Sequence, residues 1–239
     1  MNDLRQQVIE AHGGLDRFRR FTTLTAKLHQ FGILWELKGK PDVLTRANVR
    51  VNLRTEEVSH WPFHPTENRS RFTPEKVTIE RPDGTVVESL TNPRASFADF
   101  QMETHWSDPQ LAYFAGYTMW TYLTSPFILA QPGVVLEEIA PWSEAGQTWR
   151  RLRVTFPASV ATHSTAQTFY VDADGLIRRH DYEVEIQGNN AAARYLMDPV
   201  TIDGITLASK FRVYPRAADN TPLPEPLIVG VDITDYHFE

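Results

Sequence analysis

There is no cysteine anywhere in the sequence. That removes disulfides, cysteine nucleophiles and thiolate metal sites together. Basic charge is short as well, with 24 Lys and Arg against 30 Asp and Glu and a net charge of −6. A deficit of cations argues against nucleic acid as a partner. The opening residues MNDLRQQVIEAHGG contain no apolar h-region, so they do not read as a secretory signal. The expectation is therefore a cytoplasmic protein, or a periplasmic one if a signal has been removed. No low-complexity linker and no βαβ spacing break the chain. Gly13-Gly14 follows no strand and precedes no lysine, so it does not read as a phosphate loop. No serine sits in a G-x-S-x-G pattern.

One absence is local. From Pro109 to Leu136 there is no charged side chain, and residues 105–136 carry Trp106, Tyr113, Phe114, Tyr117, Trp120, Tyr122 and Phe127. Ser107 and Asp108 suit an N-cap, Pro109 suits the first helical turn, and Pro126 stops a helix. The expected helix covers about 108–124. Its apolar residues lie on every side, as in a helix wrapped by protein. A membrane span fits poorly, because Gly116, Thr118, Thr121, Thr124, Ser125 and Pro126 interrupt the run and no basic flank follows. A core helix, or a core helix that also lines a cavity, remains. Phenols and indoles favour the latter, since their polar tips need partners when buried.

Strand signals dominate elsewhere. Residues 3–20 read as a short amphipathic helix with a bend at Gly13-Gly14, and residues 23–38 are rich in β-formers. Over 43–53, Val43, Thr45, Ala47, Val49, Val51 and Leu53 alternate with a polar set, giving one dry and one wet face. Turn chemistry at Gly39–Asp42, Pro82-Asp83-Gly84, Glu144-Ala145-Gly146, Asp174-Gly175 and Asp203-Gly204 marks reversals between strands. The loop 215–226 leads to a last strand over 227–238. The expected fold is α+β and mainly antiparallel β. A single strongly curved sheet, a half-barrel, wraps the central apolar helix, with a short N-terminal helix, in one domain over 1–239.

Parity identifies which side chains share a face. An Asp174-Gly175 loop pairs Phe169 with His180 and Gln167 with Tyr182, and opposed residues project to one side. His163, Gln167, Phe169, His180, Tyr182, Val184 and Ile186 then face inward, while Arg179, Asp181, Glu183 and Glu185 are expected to face water. The inward polar groups form either a self-satisfied network or a pocket, since an unpaired buried polar group costs about 1–3 kcal/mol. If they are catalytic, His163 or His180 is the candidate base, Tyr182 the candidate acid or oxyanion donor, and Gln167 their neighbour. His60 and His64 have the i, i+4 spacing of a helical zinc site, but Pro62 breaks the helix that spacing needs, so the stretch is expected to be a loop at the sheet rim. No metal and no cofactor is expected. Arg150, Arg151 and Arg153 read as a solvated strand face.

The opening helix with Gly13-Gly14, the Thr23–Gly39 strand, the mid-chain apolar helix and the hairpin from Tyr170 to Leu176 together resemble the LolA/LolB-like, lipoprotein-carrier type of fold. The chain is also similar to an uncharacterised family of bacterial proteins of this length. The resemblance implies an apolar cavity for acyl chains or another lipophilic molecule. The expected function is a soluble binding protein for a hydrophobic small molecule or lipid, held between sheet and helix by Tyr113, Tyr117, Trp120, Phe169 and Tyr182. The alternatives are a cofactor-free lyase, isomerase, cyclase or hydrolase using His163, Gln167, His180 and Tyr182, and a structural protein with a filled core. No stable membrane span is expected.

Overall fold

A computed structural model describes residues 3–239. The chain opens with α1 (Leu4–Ala11) and a short α2 (Leu15–Phe18), bent apart at Gly13 and Gly14, both at positive φ. A first arm of strands follows: β1 (Thr23–Phe31), β2 (Arg46–Asn52), β3 (Val58–Trp61), β4 (Arg69–Phe72), β5 (Lys76–Glu80) and β6 (Val86–Thr91). Residues Leu34–Leu37 form a helical turn, α3, between β1 and β2. This corrects the expectation of β structure through residue 38. It also starts the alternation late: Leu44 is buried ahead of β2, and the regular dry face begins at Ala47.

The long α4 (Asp108–Thr124) then crosses to the opposite edge of the sheet. A second arm returns from that edge: β7 (Val135–Glu144), β8 (Gln147–Thr155), β9 (Ala166–Val171), β10 (Ile177–Val184), β11 (Asn190–Ile202), β12 (Ile205–Pro215) and β13 (Val229–Phe238). β13 pairs with β1, so all 13 strands form one antiparallel sheet in the order β6-β5-β4-β3-β2-β1-β13-β12-β11-β10-β9-β8-β7. The sheet is not closed: β6 and β7 are its free edges. Every other pairing joins strands consecutive in sequence, as short hairpin turns demand. The turns at Ala145-Gly146 and Asp203-Gly204 place both central residues at positive φ, the twist that two-residue hairpins require.

Local chemistry fixes α4. The Ser107 hydroxyl accepts from the Gln110 N–H, and the Gln110 side chain accepts from the Ser107 N–H at 2.9 Å, a complete capping box. Pro109 through Thr124 are all buried. Both arms reach the helix. Phe72 of β4 packs so closely that a Cβ on Gly116 would sit 2.3 Å from its ring carbon, and Tyr182 of β10 meets Tyr122 from the other side. The hydroxyls of Thr124 and Ser125 turn back onto the helix carbonyls of Trp120 and Thr121, each at 2.7 Å. The expected aromatic core helix is therefore present, wrapped on all sides. Among the described residues no helix is long and apolar enough to cross a membrane.

Candidate functional site

The hairpin β9–β10 sets the inner polar cluster, by a route that differs from the expected one. At the turn, Ile177 pairs with Val171 and the Asp172 N–H donates to the Leu176 carbonyl, a three-residue loop. A bulge at Arg178 then adds one residue. The two offsets cancel, so His180 does pair with Phe169. The inward set is brought together as parity required: His163, Gln167, Phe169, His180 and Tyr182 are all at most 2% exposed.

The outer set is a correction. Arg179 and Asp181, expected to be wet, are 0% and 4% exposed. Arg179 is clamped by Asp181 (Nε–Oδ1 2.7 Å, Nη2–Oδ2 2.8 Å), by Glu144 at 2.6 Å and by the Asn220 carbonyl at 2.5 Å. Tyr170 donates to Asp181 at 2.6 Å, and the Arg179 guanidinium lies 4.6 Å from the Tyr170 ring centre. Glu183, half-buried, pairs with Arg216, while Glu185, just beyond β10, is exposed as expected and pairs with Arg94. On the outer face of β10 it is Arg179 and Asp181 that are covered, as a buried ion-pair network. The β7–β8 hairpin supplies Glu144, and the loop after β12 supplies Arg216 and Asn220.

The inner cluster is a chain of neutral groups. Gln167 donates to the Thr162 hydroxyl and the Ser164 carbonyl, both at 2.7 Å, which leaves its own carbonyl for the His180 Nε2–H at 2.6 Å. The His180 Nδ1 lone pair then accepts from Arg194 Nη2 at 3.0 Å. His180 is consequently the neutral Nε2–H tautomer. Tyr117 and Tyr122 hold the two nitrogens of His163 at 3.1 and 3.3 Å, and the Tyr122 hydroxyl also bonds that of Tyr182. The His163 ring stacks on Tyr182 and the His180 ring on Phe169, each with centres 4.0 Å apart. Burial, and then the positive charge of Arg194, pushes both imidazoles well below their ordinary value. Burial likewise raises the phenols of Tyr117, Tyr122 and Tyr182. Both ring nitrogens of each imidazole are occupied, so neither histidine presents a free lone pair to a substrate proton.

Beside this cluster, enclosed by α4, by Gln30 of β1, by Leu34 and Trp35 of α3 and by the second arm, lies a cavity of about 40 Å³. Its walls are mostly apolar: Phe114, Ala115 and Met119 from α4, Ala192 of β11, Val213 of β12, and Val229 and Val231 of β13. Its polar lining comprises Gln30, Thr118, Tyr122, His163, Tyr182 and Gln187, all buried, and the half-buried Asn190 lies with Met102, Ala191 and Ile228 on the more accessible part. Of the aromatic residues expected to hold a ligand, Tyr182 lies on this wall. Tyr117 stands behind His163, and Phe169 stands behind His180. Tyr113 packs on Phe72 and Phe97, and Trp120 donates to the carbonyls of Asn52 and Thr55 at 3.0 Å, tying α4 to the chain after β2.

Two residues of this region escaped the sequence reading as site residues, Tyr122 and Arg194. The signal for Arg194 was available. The Asp203-Gly204 turn pairs Ile202 with Ile205, hence Leu196 with Phe211 and Arg194 with Val213, which puts Arg194 on the dry face by parity. It is 0% exposed, its carbon Cζ lies 3.4 Å from the Tyr122 ring centre and 4.9 Å from that of Phe211, and its Nε and Nη1 have no hydrogen-bond partner. His60, expected in a rim loop, instead lies on the inner face of β3, fully buried, with both ring nitrogens unpartnered among the described residues and its pKa pushed down to about 3 by burial.

Solved structures share this architecture. A LolA superfamily protein from Nitrosomonas europaea, 10% identical, aligns over 98% of this chain and 93% of its own with a TM-score of 0.55. A putative outer membrane lipoprotein-sorting protein domain from Vibrio parahaemolyticus, also 10% identical, aligns over 96% and 93% with a TM-score of 0.51. The fold is LolA-like. No family model matches the chain, and no curated protein matches it. At 10% identity the likeness is one of backbone path.

Proposed function

We propose that the protein, as a single domain over 1–239, binds a hydrophobic small molecule or a lipid between α4 and the second arm of the sheet. The observation that carries this reading is the apolar cavity with its buried polar lining at Tyr122, His163 and Tyr182. Apolar walls with a few convergent polar groups are the usual makeup of a ligand pocket. The likeness in fold to a putative outer membrane lipoprotein-sorting protein domain supports the same class of ligand. It also favours the periplasmic over the cytoplasmic location.

Size sets the mode of binding. A small-molecule pocket measures about 300–1,000 Å³, far above the 40 Å³ present. A ligand therefore enters by displacing side chains, with Met119 and Phe114 of α4 nearest to hand. Met can repack at low cost because its side chain is unbranched. Tyr182 contacts the ligand directly, and Tyr117 and Phe169 brace the groups that do. Tyr113 and Trp120 hold the helix against the first arm.

Native mass spectrometry of the purified full chain tests this. Retained lipophilic mass, or saturable uptake of an added long-chain alcohol at one per chain, is the expected result. A protein that carries nothing and takes up nothing defeats the reading and leaves a structural protein with a filled core.

A further inference from the structure

Arg194 is a cation enclosed in the apolar interior with no carboxylate to balance it. Its ion-pair partners among the described residues are none, while Arg179 and Arg216 on the outer face each have two. The rings of Tyr122 and Phe211 supply its π contacts. All of the guanidinium N–H bonds lie in its plane. Only Nη2 is used, toward His180, so the Nε–H and both Nη1–H bonds lack an acceptor. His180 is itself held in one tautomer by Gln167, which makes the contact a fixed support for the guanidinium.

The position relative to the cavity is set by the strand. Ala192 lies on the cavity wall, and Arg194 is the next inward-facing residue of β11, about 7 Å further along. Val213, which pairs with Arg194, and Tyr122, which covers it, are also wall residues. An amphiphile lying along the apolar wall thus has its polar end at Tyr122 and Val213, with the Arg194 guanidinium directly behind them.

We propose that Arg194 is the head-group receptor of this cavity, and that the ligand is a single-chain monoanionic amphiphile, a long-chain carboxylic acid, whose carboxylate accepts from the unpaired Arg194 N–H bonds. This rests on the hydrophobic-binding reading above and narrows it to a charge class. The remaining polar groups at that end, His163, His180, Tyr122 and Tyr182, are neutral, so one positive charge is present and one negative charge balances it. A carboxylate matches the planar donor edge of guanidinium. Reaching it requires the Tyr122 phenol to turn from the guanidinium.

The test is isothermal titration of the full chain with hexadecanoic acid, hexadecan-1-ol, methyl hexadecanoate and 1-hexadecanoyl-lysophosphatidylglycerol, below micellar concentrations and at about pH 8, where carboxylates are ionised. The acid should bind about tenfold or more tightly than the alcohol and the ester. Arg194→Met should erase that preference while retaining the alcohol, and Arg194→Lys should keep part of it. Equal affinities for acid, ester and alcohol on the unmodified protein overturn the head-group assignment and leave hydrophobic binding standing. That comparison needs no variant, so a misfolded Arg194→Met does not blunt it. A preference that survives in a folded Arg194→Met protein overturns the role of Arg194. Tighter binding of the lysophospholipid than of the acid overturns the carboxylate as the head. Failure of all four to bind overturns this proposal and the reading beneath it.

Discussion

Arg179 and Arg194 sit on neighbouring strands, β10 and β11, and both are 0% exposed. Their surroundings are opposites. Arg179, on the outer face, meets two carboxylates and a carbonyl. Arg194, on the inner face, meets one neutral imidazole and two aromatic rings. Burying a charge is expensive unless it is paired and hydrogen-bonded. The first arginine therefore reads as architecture, pinning the β7–β8 hairpin and the loop after β12 onto β10. The second is a charge the fold itself leaves uncompensated, and perturbed or unpaired charges of that kind cluster at functional sites.

The largest expected effect breaks the paired side. Asp181→Asn strands Arg179, and the loss of a buried ionic partner costs about 3–5 kcal/mol. Urea unfolding should show a matching fall in midpoint with little change in slope. A loss within the range of a surface pair would mean that Glu144 alone satisfies Arg179. Acid should strike the inner face next. His163 and His180 have folded pKa values well below 6.5, and that of His60 is about 3. Between the folded value and about 6.5 the unfolded chain binds a proton that the folded one does not. Their stabilisation is therefore complete above about 6.5 and is lost as pH falls, by about 2 kcal/mol for His60 at about pH 5. Glu56 acts in the opposite sense. Burial pushes its pKa up to about 8, so its contribution grows as pH falls from about 8 toward its ordinary range. Glu56→Gln should consequently steepen the acid loss. Unfolding midpoints across pH, with imidazole NMR shifts that stay neutral below pH 6, check both statements.

Smaller changes sharpen the contrast. Gln167→Leu removes the acceptor for the His180 Nε2–H, and one unsatisfied buried donor costs about 1–3 kcal/mol. Arg194→Met strands no carboxylate and removes an uncompensated charge, but leaves His180 Nδ1 without its donor. Thermal unfolding should place it within about 2 kcal/mol of the parent protein, in contrast with Asp181→Asn. The least effect belongs to an exposed ion pair on the edge hairpin. Glu137 and Arg153, 3.2 Å apart with both side chains more than half exposed, form such a pair. Glu137→Gln should shift stability by less than about 1 kcal/mol.

What could be read in advance divides along the same line. The bounds of α4 followed from Ser107, Pro109 and Pro126, because caps and prolines act within one turn of the chain. The hairpins followed from Asp-Gly and Ala-Gly pairs for the same reason. The inward set around His180 followed from strand parity, and it held even though the turn at residues 172–176 took another form, because a bulge at Arg178 restored the register. The cover over Arg179 and Asp181 did not follow, although Glu185 is exposed as expected. Arg179 and Asp181 look solvated in sequence, and what covers them, Glu144, Arg216 and Asn220, comes from segments about 35–40 residues away. Residues 34–37 looked like a strand, since Leu and Trp at those positions suit either conformation, and their burial as a helical turn was set by the surrounding core.

The sequence alone thus determined α4, the glycine-marked hairpins and the inward face of β9 and β10, since periodicity, caps and turn residues are local physics, but it did not mark α3, β3 or β4. It also determined that polar side chains would be carried inside. Only the tertiary structure decided which buried charges find partners. The desolvation of a guanidinium is a property of its position, whereas its compensation depends on groups that arrive from distant parts of the chain. For Arg179 they arrive. For Arg194 the fold brings aromatic rings and a neutral histidine, and among the described residues leaves its Nε and Nη1 without an acceptor, behind the cavity-wall residues Tyr122 and Val213.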